Sequence, residues 1–406
     1  MSLLNSNLTL PCGVVLKNRI IKSAMSENMA NKNFTSNEKF NNLYRTWSEG
    51  GASVLITGNV MVDSKHLGEP NNVVIEKNNE GFIQLENWAK ASKVNSNEIW
   101  MQLNHPGKQS PNFLNKTPVA PSSISFSSPL NKFFNKPLEL SLIEIKDIVS
   151  RFAYASEVAK KAGFTGVQIH AAHGYLISQF LSCNHNLRND NYGGNLENRM
   201  RFLIEIYFAI REKVGPNFPI SVKLNSADFQ KGGFSEEDSL LVVLELEKIG
   251  VDLIEISGGT YEAPAMLSKK ASTLSREAYF LDYCEKIRKS CKVPLLLTGG
   301  FRTFNGMEQA LKVSSCDAIG LARSIAINPN FPNELLEKKE SISLVKPLSS
   351  GIKLIDKLFP LEIIWYSEQI NLLGNKKKTN PNLSTHYVVL KSLISTGLLN
   401  LKKLRV

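Results

Sequence analysis

Two histidines and a tyrosine stand within the segment HAAHGY at 170–175. Imidazoles near a strand end can donate N–H groups to a carbonyl oxygen and stabilise the enolate formed when hydride adds to a conjugated carbon. Tyr175 keeps its proton at neutral pH, since a phenol titrates near ~10, and can deliver that proton to the adjacent carbon as a general acid. His170 and His173 could instead hold a metal or form a structural pair. The segment contains no Cys or carboxylate, and its H-x-x-H falls across a strand end rather than one helix face, which argues against a metal.

Other polar residues end apolar runs in the same way: Gln102, Asn104 and His105; Lys223 and Asn225; Gly299 with Gly300; Ala322 with Arg323. The glycines would let backbone N–H groups approach a phosphate, and Arg323 would add a bidentate donor. The alternative is that Gly299 and Gly300 only turn the chain while Arg323 pairs with a surface carboxylate. No GxGxxG follows a strand, so the pocket suggests a mononucleotide cofactor or a phosphorylated substrate rather than a dinucleotide on a Rossmann unit. Lys223 could stabilise negative charge on a reduced flavin ring and Gln102 could hydrogen-bond its polar edge. Each alone reads equally as a satisfied polar group.

The elements that must position these residues are eight short runs: 19–25, 52–58, 98–104, 166–172, 219–225, 251–259, 293–300 and 316–323. Segments of helical spacing separate them, and eight such units predict a closed (β/α)8 TIM barrel of the α/β class, ahead of an open doubly wound sheet. Helices are expected over 141–162, 196–214 and 235–249, the first ending at Gly163 and the last opening on Ser235. Residues 106–140, rich in Pro, Ser and Asn, read as a long excursion over the third strand. The expected division is a barrel over 1–335 and a basic, partly helical C-terminal extension over 336–406. The last stretch can form a basic amphipathic helix, packed on the barrel or a neighbouring subunit with its lysines in water.

The chain has 406 residues, 42% hydrophobic and 21% charged, the composition of an ordinary globular protein. Of its net charge of +11, +7 lies in 336–406, where twelve Lys or Arg face five Asp or Glu, so the basic excess belongs to a tail. The N-terminus lacks the features of a secretory signal, and no apolar run reaches a membrane span; a cytoplasmic protein is expected. The five cysteines form no CxxC and read as thiols rather than a disulfide or metal framework.

Several segments together resemble the old yellow enzyme family of NADH:flavin oxidoreductases, in its bacterial single-barrel ene-reductase branch. They are LKNRIIKSAMS at 16–26, ITG at 56–58, QLNHPGKQ at 102–109, PVAPS at 118–122, GFTGVQIHAAHGYLISQFLS at 163–182, RNDNYGGNLENRMRF at 188–202, TGGFRT at 298–303 and IGLARSIAINP at 319–329. The resemblance covers about residues 8–335. It implies that Ser23, Ala24, Met25 and Gly58 line the ring of FMN, that Gln102 and Lys223 bond its polar edge, and that Gly299, Gly300, Ala322 and Arg323 hold its phosphate. It further implies that His170 and His173 bind the substrate's activating oxygen and that Tyr175 donates the proton. NADH or NADPH would reduce FMN and leave before an enone or related electron-poor alkene binds, a ping-pong cycle.

Ser26 stands where several relatives carry a cysteine that tunes the flavin, and Lys223 where many have arginine. The tail lacks the clustered cysteines of the dienoyl-CoA reductase relatives, so such an activity would run without an iron–sulfur cluster. A tRNA-reducing flavoenzyme of the dihydrouridine synthase kind uses a cysteine as its acid, and Cys183 is the nearby candidate. A non-catalytic barrel docked through its tail is the remaining reading. The expected partner is a small molecule, without nucleic acid or a transmembrane segment, in a possible homo-oligomer.

Overall fold

A computed structural model describes residues 2–77, 81–263, 277–338, 341–352, 355–356 and 361–403. Eight parallel strands form its centre: β1 (Ile20–Lys22), β2 (Val54–Ile56), β3 (Glu98–Asn104), β4 (Gly166–Ala171), β5 (Ile220–Asn225), β6 (Leu253–Ser257), β7 (Leu295–Thr298) and β8 (Ala318–Leu321). Each pairs with the next in sequence, and β8 pairs back to β1 through Ile319 with Ile20, which closes the barrel. Each of the eight predicted runs contains one of these strands. Two short parallel strands, Val60–Met61 and Val73–Val74, extend the sheet beyond β3.

The barrel helices follow their strands: α1 (Glu38–Glu49), α2 (Phe82–Ala91), α3 (Leu142–Lys161), α4 (Leu196–Val214), α5 (Glu236–Lys248), α6 (Leu281–Arg288), α7 (Phe304–Lys312) and α8 (Phe331–Lys338). The three expected from sequence are α3, α4 and α5, and their ends show why they were legible. The Ser141 hydroxyl accepts from the Glu144 N–H while the Glu144 carboxylate accepts from the Ser141 N–H, a complete capping box. Gly163 follows the helix at φ +89°, a conformation that costs glycine little. At α5 the Ser235 hydroxyl accepts from the Asp238 N–H, and Glu236, Glu237 and Asp238 complement the positive end of the helix.

Among the described residues the core falls into three clusters, two of which build the barrel. The larger lies between strands and helices and contains the α3 stripe Ile145, Ile148, Val149, Phe152, Ala155 and Ala159. The smaller fills the lower barrel with Ile21, Val54, Ile56, Trp100, Leu253, Leu296 and Ala318, and an N-terminal hairpin plugs it with Leu8 and Leu16. Gly166 makes room for that filling, since a Cβ there would stand 2.5 Å from the Trp100 ring. With the lower barrel apolar, polar side chains gather toward the strands' C-terminal ends.

Residues 106–140 cross that end, tied by the Gln109 amide donating to the His173 carbonyl at 3.0 Å and by Phe134 lying 6.1 Å from the Tyr261 ring. Of the loop after β6, residues 264–276 lie outside the described residues. The extension contributes α9 (Leu361–Gly374) and α10 (Thr385–Lys403). The α9 helix packs on α1 and on the short helix Arg323–Ile327. Among the described residues no helix is long and apolar enough to cross a membrane.

Candidate active site

The strand HAAHGY leaves β4 through two consecutive left-handed residues, His173 at φ +61° and Gly174 at φ +77°. A non-glycine residue in that region is uncommon, and this break turns the chain from the strand into the short helix Leu176–Leu181. The turn brings the three side chains together: the His170 ring lies 5.2 Å from that of His173 and 4.9 Å from that of Tyr175. Burial holds both imidazoles well below the ordinary histidine range, helped at His170 by His173 and Lys223 and at His173 by Lys223. They are neutral at physiological pH.

A neutral imidazole has one N–H, and the surroundings select it. His170 Nδ1 accepts from the Ala172 N–H at 3.3 Å, which leaves Nε2–H to donate. His173 Nε2 is engaged by Ser257 Oγ at 2.8 Å, and its backbone N–H donates to Asn225 Oδ1 at 3.1 Å. The two rings therefore differ: His170 has Nε2–H to donate, while only Nδ1 of His173 is free of the serine. Tyr175 is 5% exposed, and burial, with Tyr261 and Glu69 nearby, pushes its phenol well above the ordinary value. Its hydroxyl lies 3.2 Å from that of Tyr261 and accepts from Asn59 Nδ2 at 3.5 Å.

Beside this cluster is a buried polar layer. Lys223 Nζ pairs with Glu255 Oε1 at 3.0 Å; Gln102 Nε2 donates to Gln168 Oε1 at 2.7 Å; Gln168 Nε2 donates to Glu255 Oε2 at 2.9 Å. Thr298 Oγ1 donates to the same Glu255 at 2.8 Å and lies 2.8 Å from Ser23 Oγ. Glu255 thus joins Lys223 directly, Gln102 through Gln168 and Ser23 through Thr298, three of the predicted residues. It was missed in the sequence because a single glutamate in LIEIS carries no mark of facing the barrel interior. Ala24 and Met25 are half-buried, and a Cβ at Gly58 would collide with the Glu27 carboxylate and the Met25 carbonyl. The Glu27 carboxylate accepts from the Gly58 N–H at 2.8 Å and from the Tyr44 hydroxyl.

Gly299 and Gly300, at φ +120° and +87°, leave β7 beside Ala322 and Arg323, which leave β8. The pairing of Arg323 with a carboxylate, weighed above as the alternative to phosphate binding, is present in the structure: Nη1 meets Glu362 Oε2 at 2.6 Å. That carboxylate comes from α9 in the extension, 39 residues away, so no local pattern announces it.

The sequence profile of the NADH:flavin oxidoreductase / NADH oxidase family matches residues 10–341. The chain belongs to this family. It is 39% identical to the NADH-dependent flavin oxidoreductase iliE of Hypocrea jecorina over 362 residues, 82% of this chain and 88% of that one. Among solved structures, the old yellow enzyme homologue from Zymomonas mobilis superposes with a TM-score of 0.71 at 25% identity, covering 84% of this chain and 94% of that one. A 2-naphthoyl-CoA reductase superposes with a TM-score of 0.78 at 24% identity; the match covers 84% of this chain and about half, 54%, of that one, and shows the fold alone. The chain is a flavin-dependent NAD(P)H oxidoreductase of old yellow enzyme type, with FMN as cofactor.

The residues present fit that cofactor. Gly58, Gly299 and Gly300 bring side-chain-free backbone to one end of the barrel, where it packs against the Glu27 carboxylate at Gly58 and the Tyr279 ring at Gly299 and Gly300. Asn59 Oδ1 and Ser226 Oγ are buried there without partners, beside the cationic Lys223 and the amide of Gln102. A layer that holds the Lys223–Glu255 pair and two unsatisfied polar atoms, next to a glycine pair and an arginine, suits a polar ring that carries a phosphate.

Proposed function

We propose that this oxidoreductase reduces activated C=C bonds, of enones and related electron-poor alkenes, with NADH or NADPH as electron source. The observation that carries the reading is the convergence of a neutral Nε2–H donor on His170 with a buried, protonated Tyr175, their rings 4.9 Å apart. FMN, when bound, supplies reversible two-electron chemistry. Ser23, Ala24, Met25 and Gly58 line its ring, Gln102 and Lys223 bond its polar edge, and Gly299, Gly300, Ala322 and Arg323 hold its phosphate.

The protein's part is to bind and to place a proton. His170 Nε2–H and His173 orient the carbonyl oxygen of the alkene and carry its developing negative charge, favoured by the positive Lys223 nearby. Tyr175 Oη then gives its proton to the carbon next to the carbonyl, and Asn59 and Tyr261 hold the hydroxyl in place. Closure by the 106–140 excursion keeps bulk water from that carbon. Old yellow enzyme likeness in the comparisons supports the same chemistry.

The test is spectroscopic. Purified holoprotein should bleach with NADH or NADPH without oxygen and regain its colour on addition of an enone. Recolouring by an enone no faster than by air would overturn alkene reduction.

A further inference from the structure

Strand pairing brings a second set of chemical groups together behind the Tyr175 wall. Val60 and Met61 run parallel to Leu103 and Asn104 of β3, so the chains leaving Met61 and Asn104 emerge side by side. Asp63 and His66 lie on one and His105 on the other. His66 Nδ1 stands 3.1 Å from Asp63 Oδ2, the two histidine rings are 4.9 Å apart, and one ligand atom from each of the three residues lies within 4.8 Å of the others.

Asp63 and His105 are 7% and 2% exposed. His105 Nδ1 accepts from the Gly107 N–H at 3.1 Å, while its Nε2 is buried without a partner. An unsatisfied buried nitrogen costs on the order of 1–3 kcal/mol, so a fold that keeps one beside a carboxylate calls for an occupant. Among the described residues, the charges near the cluster include Arg151, 3.9 Å from Asp63 Oδ1, Glu76, 3.8 Å from the same guanidinium, and Glu144, whose carboxyl feels His66. Arg151 is thus offset on the oxygen remote from His66, and Asp63 Oδ2 keeps its capacity to ligate.

We propose that Asp63, His66 and His105 bind a divalent transition-metal ion, zinc by preference, at a site separate from the flavin pocket. Two imidazole nitrogens and one carboxylate oxygen suit zinc, with water in the fourth position, and do not suit calcium or magnesium, which take oxygen ligands. The 3.1 Å between His66 Nδ1 and Asp63 Oδ2 is close to the ligand spacing of roughly 3.3 Å that zinc bonds near ~2.0 Å give a tetrahedron. Binding at Nδ1 moves the hydrogen that lies between these atoms to His66 Nε2, a change of tautomer with no net release of a proton from the neutral ring. The ion would fasten the loop after Met61 to the end of β3. That loop is also held by Ser110 Oγ donating to the Leu67 carbonyl at 2.7 Å, and a Cβ at Gly68 would stand 3.9 Å from Tyr175 Cε1. The site therefore stiffens the wall behind the candidate proton donor.

The test uses full-length, FMN-loaded protein stripped with a chelator and titrated with zinc against a chromophoric competitor. Wild type should take up one zinc per chain with a rise in Tm, and His66→Asn and Asp63→Asn should weaken binding by about 100-fold or more. His386→Asn, at an exposed position in α10, should bind as wild type does. If wild type takes up no zinc, or if folded His66→Asn and Asp63→Asn both match it, the proposal fails and water serves His105 Nε2. Because the wild-type stoichiometry alone can refute it, the test survives a variant that does not fold.

Discussion

At the scale of single residues, Tyr175 and Arg323 are the side chains whose proposed roles separate most cleanly. Burial keeps the Tyr175 phenol protonated throughout the working pH range, so Tyr175→Phe removes a proton donor while leaving the ring's packing against His170. Anaerobic stopped-flow should show reduction by NADH unchanged and reoxidation by an enone slowed by about 10²–10⁴-fold. Arg323 supports a different function. If it holds the phosphate, Arg323→Gln should weaken FMN binding by roughly 10–100-fold while riboflavin binding stays constant, measured by flavin fluorescence on apoprotein. Equal losses for the two flavins would assign Arg323 to its bond with Glu362 alone.

At the scale of elements, the sequence was legible wherever a local rule decided the outcome. Alternation marked all eight strands, and Ser141, Gly163 and Ser235 marked helix ends because a cap or a left-handed residue is chosen by its immediate neighbours. The capping box is worth about 1 kcal/mol, so Ser141→Ala should lower stability by about that amount in urea titration without altering NADH oxidation. What stayed hidden depends on register. Glu255 matters because β5 and β6 pair Lys223 with it, and the Asp63–His66–His105 cluster exists because Met61 pairs with Asn104. No spacing within one segment encodes those meetings. The proximity of the HAAHGY side chains was readable because the three groups are local, yet the hydrogen-bond partners that distinguish its histidines, Ala172, Asn225 and Ser257, were not.

At the scale of the whole molecule, the basic tail is engaged with the protein itself. Lys376 pairs with Glu38 at 3.2 Å, Lys391 with Glu368 at 2.6 Å, and Asn42 of α1 donates to the Gly374 carbonyl at 3.1 Å. Through Glu362 the same extension reaches Arg323, which links the chain's end to the β7–β8 corner. Folding also keeps His170, His173 and His185 neutral, burial being the main cause at each, with Lys108 adding to it at His185, which is pushed down to about 3. The unfolded chain binds protons at these histidines below about pH 6.5, and the folded chain does not. Their contribution to stability is therefore present above that value and lost as pH falls, by roughly 1.4 kcal/mol per histidine for each further pH unit. Calorimetry should show Tm falling between about pH 7 and 5; a flat profile would mean that these imidazoles take up protons in the folded state.

The account as a whole rests on a proton placed on carbon rather than on oxygen. Turnover of an enone with NADH in deuterium oxide, followed by mass spectrometry and NMR of the product, tests this directly. The saturated ketone, carrying solvent deuterium on the carbon next to the carbonyl, is the predicted result. An allylic alcohol or unchanged enone would contradict it.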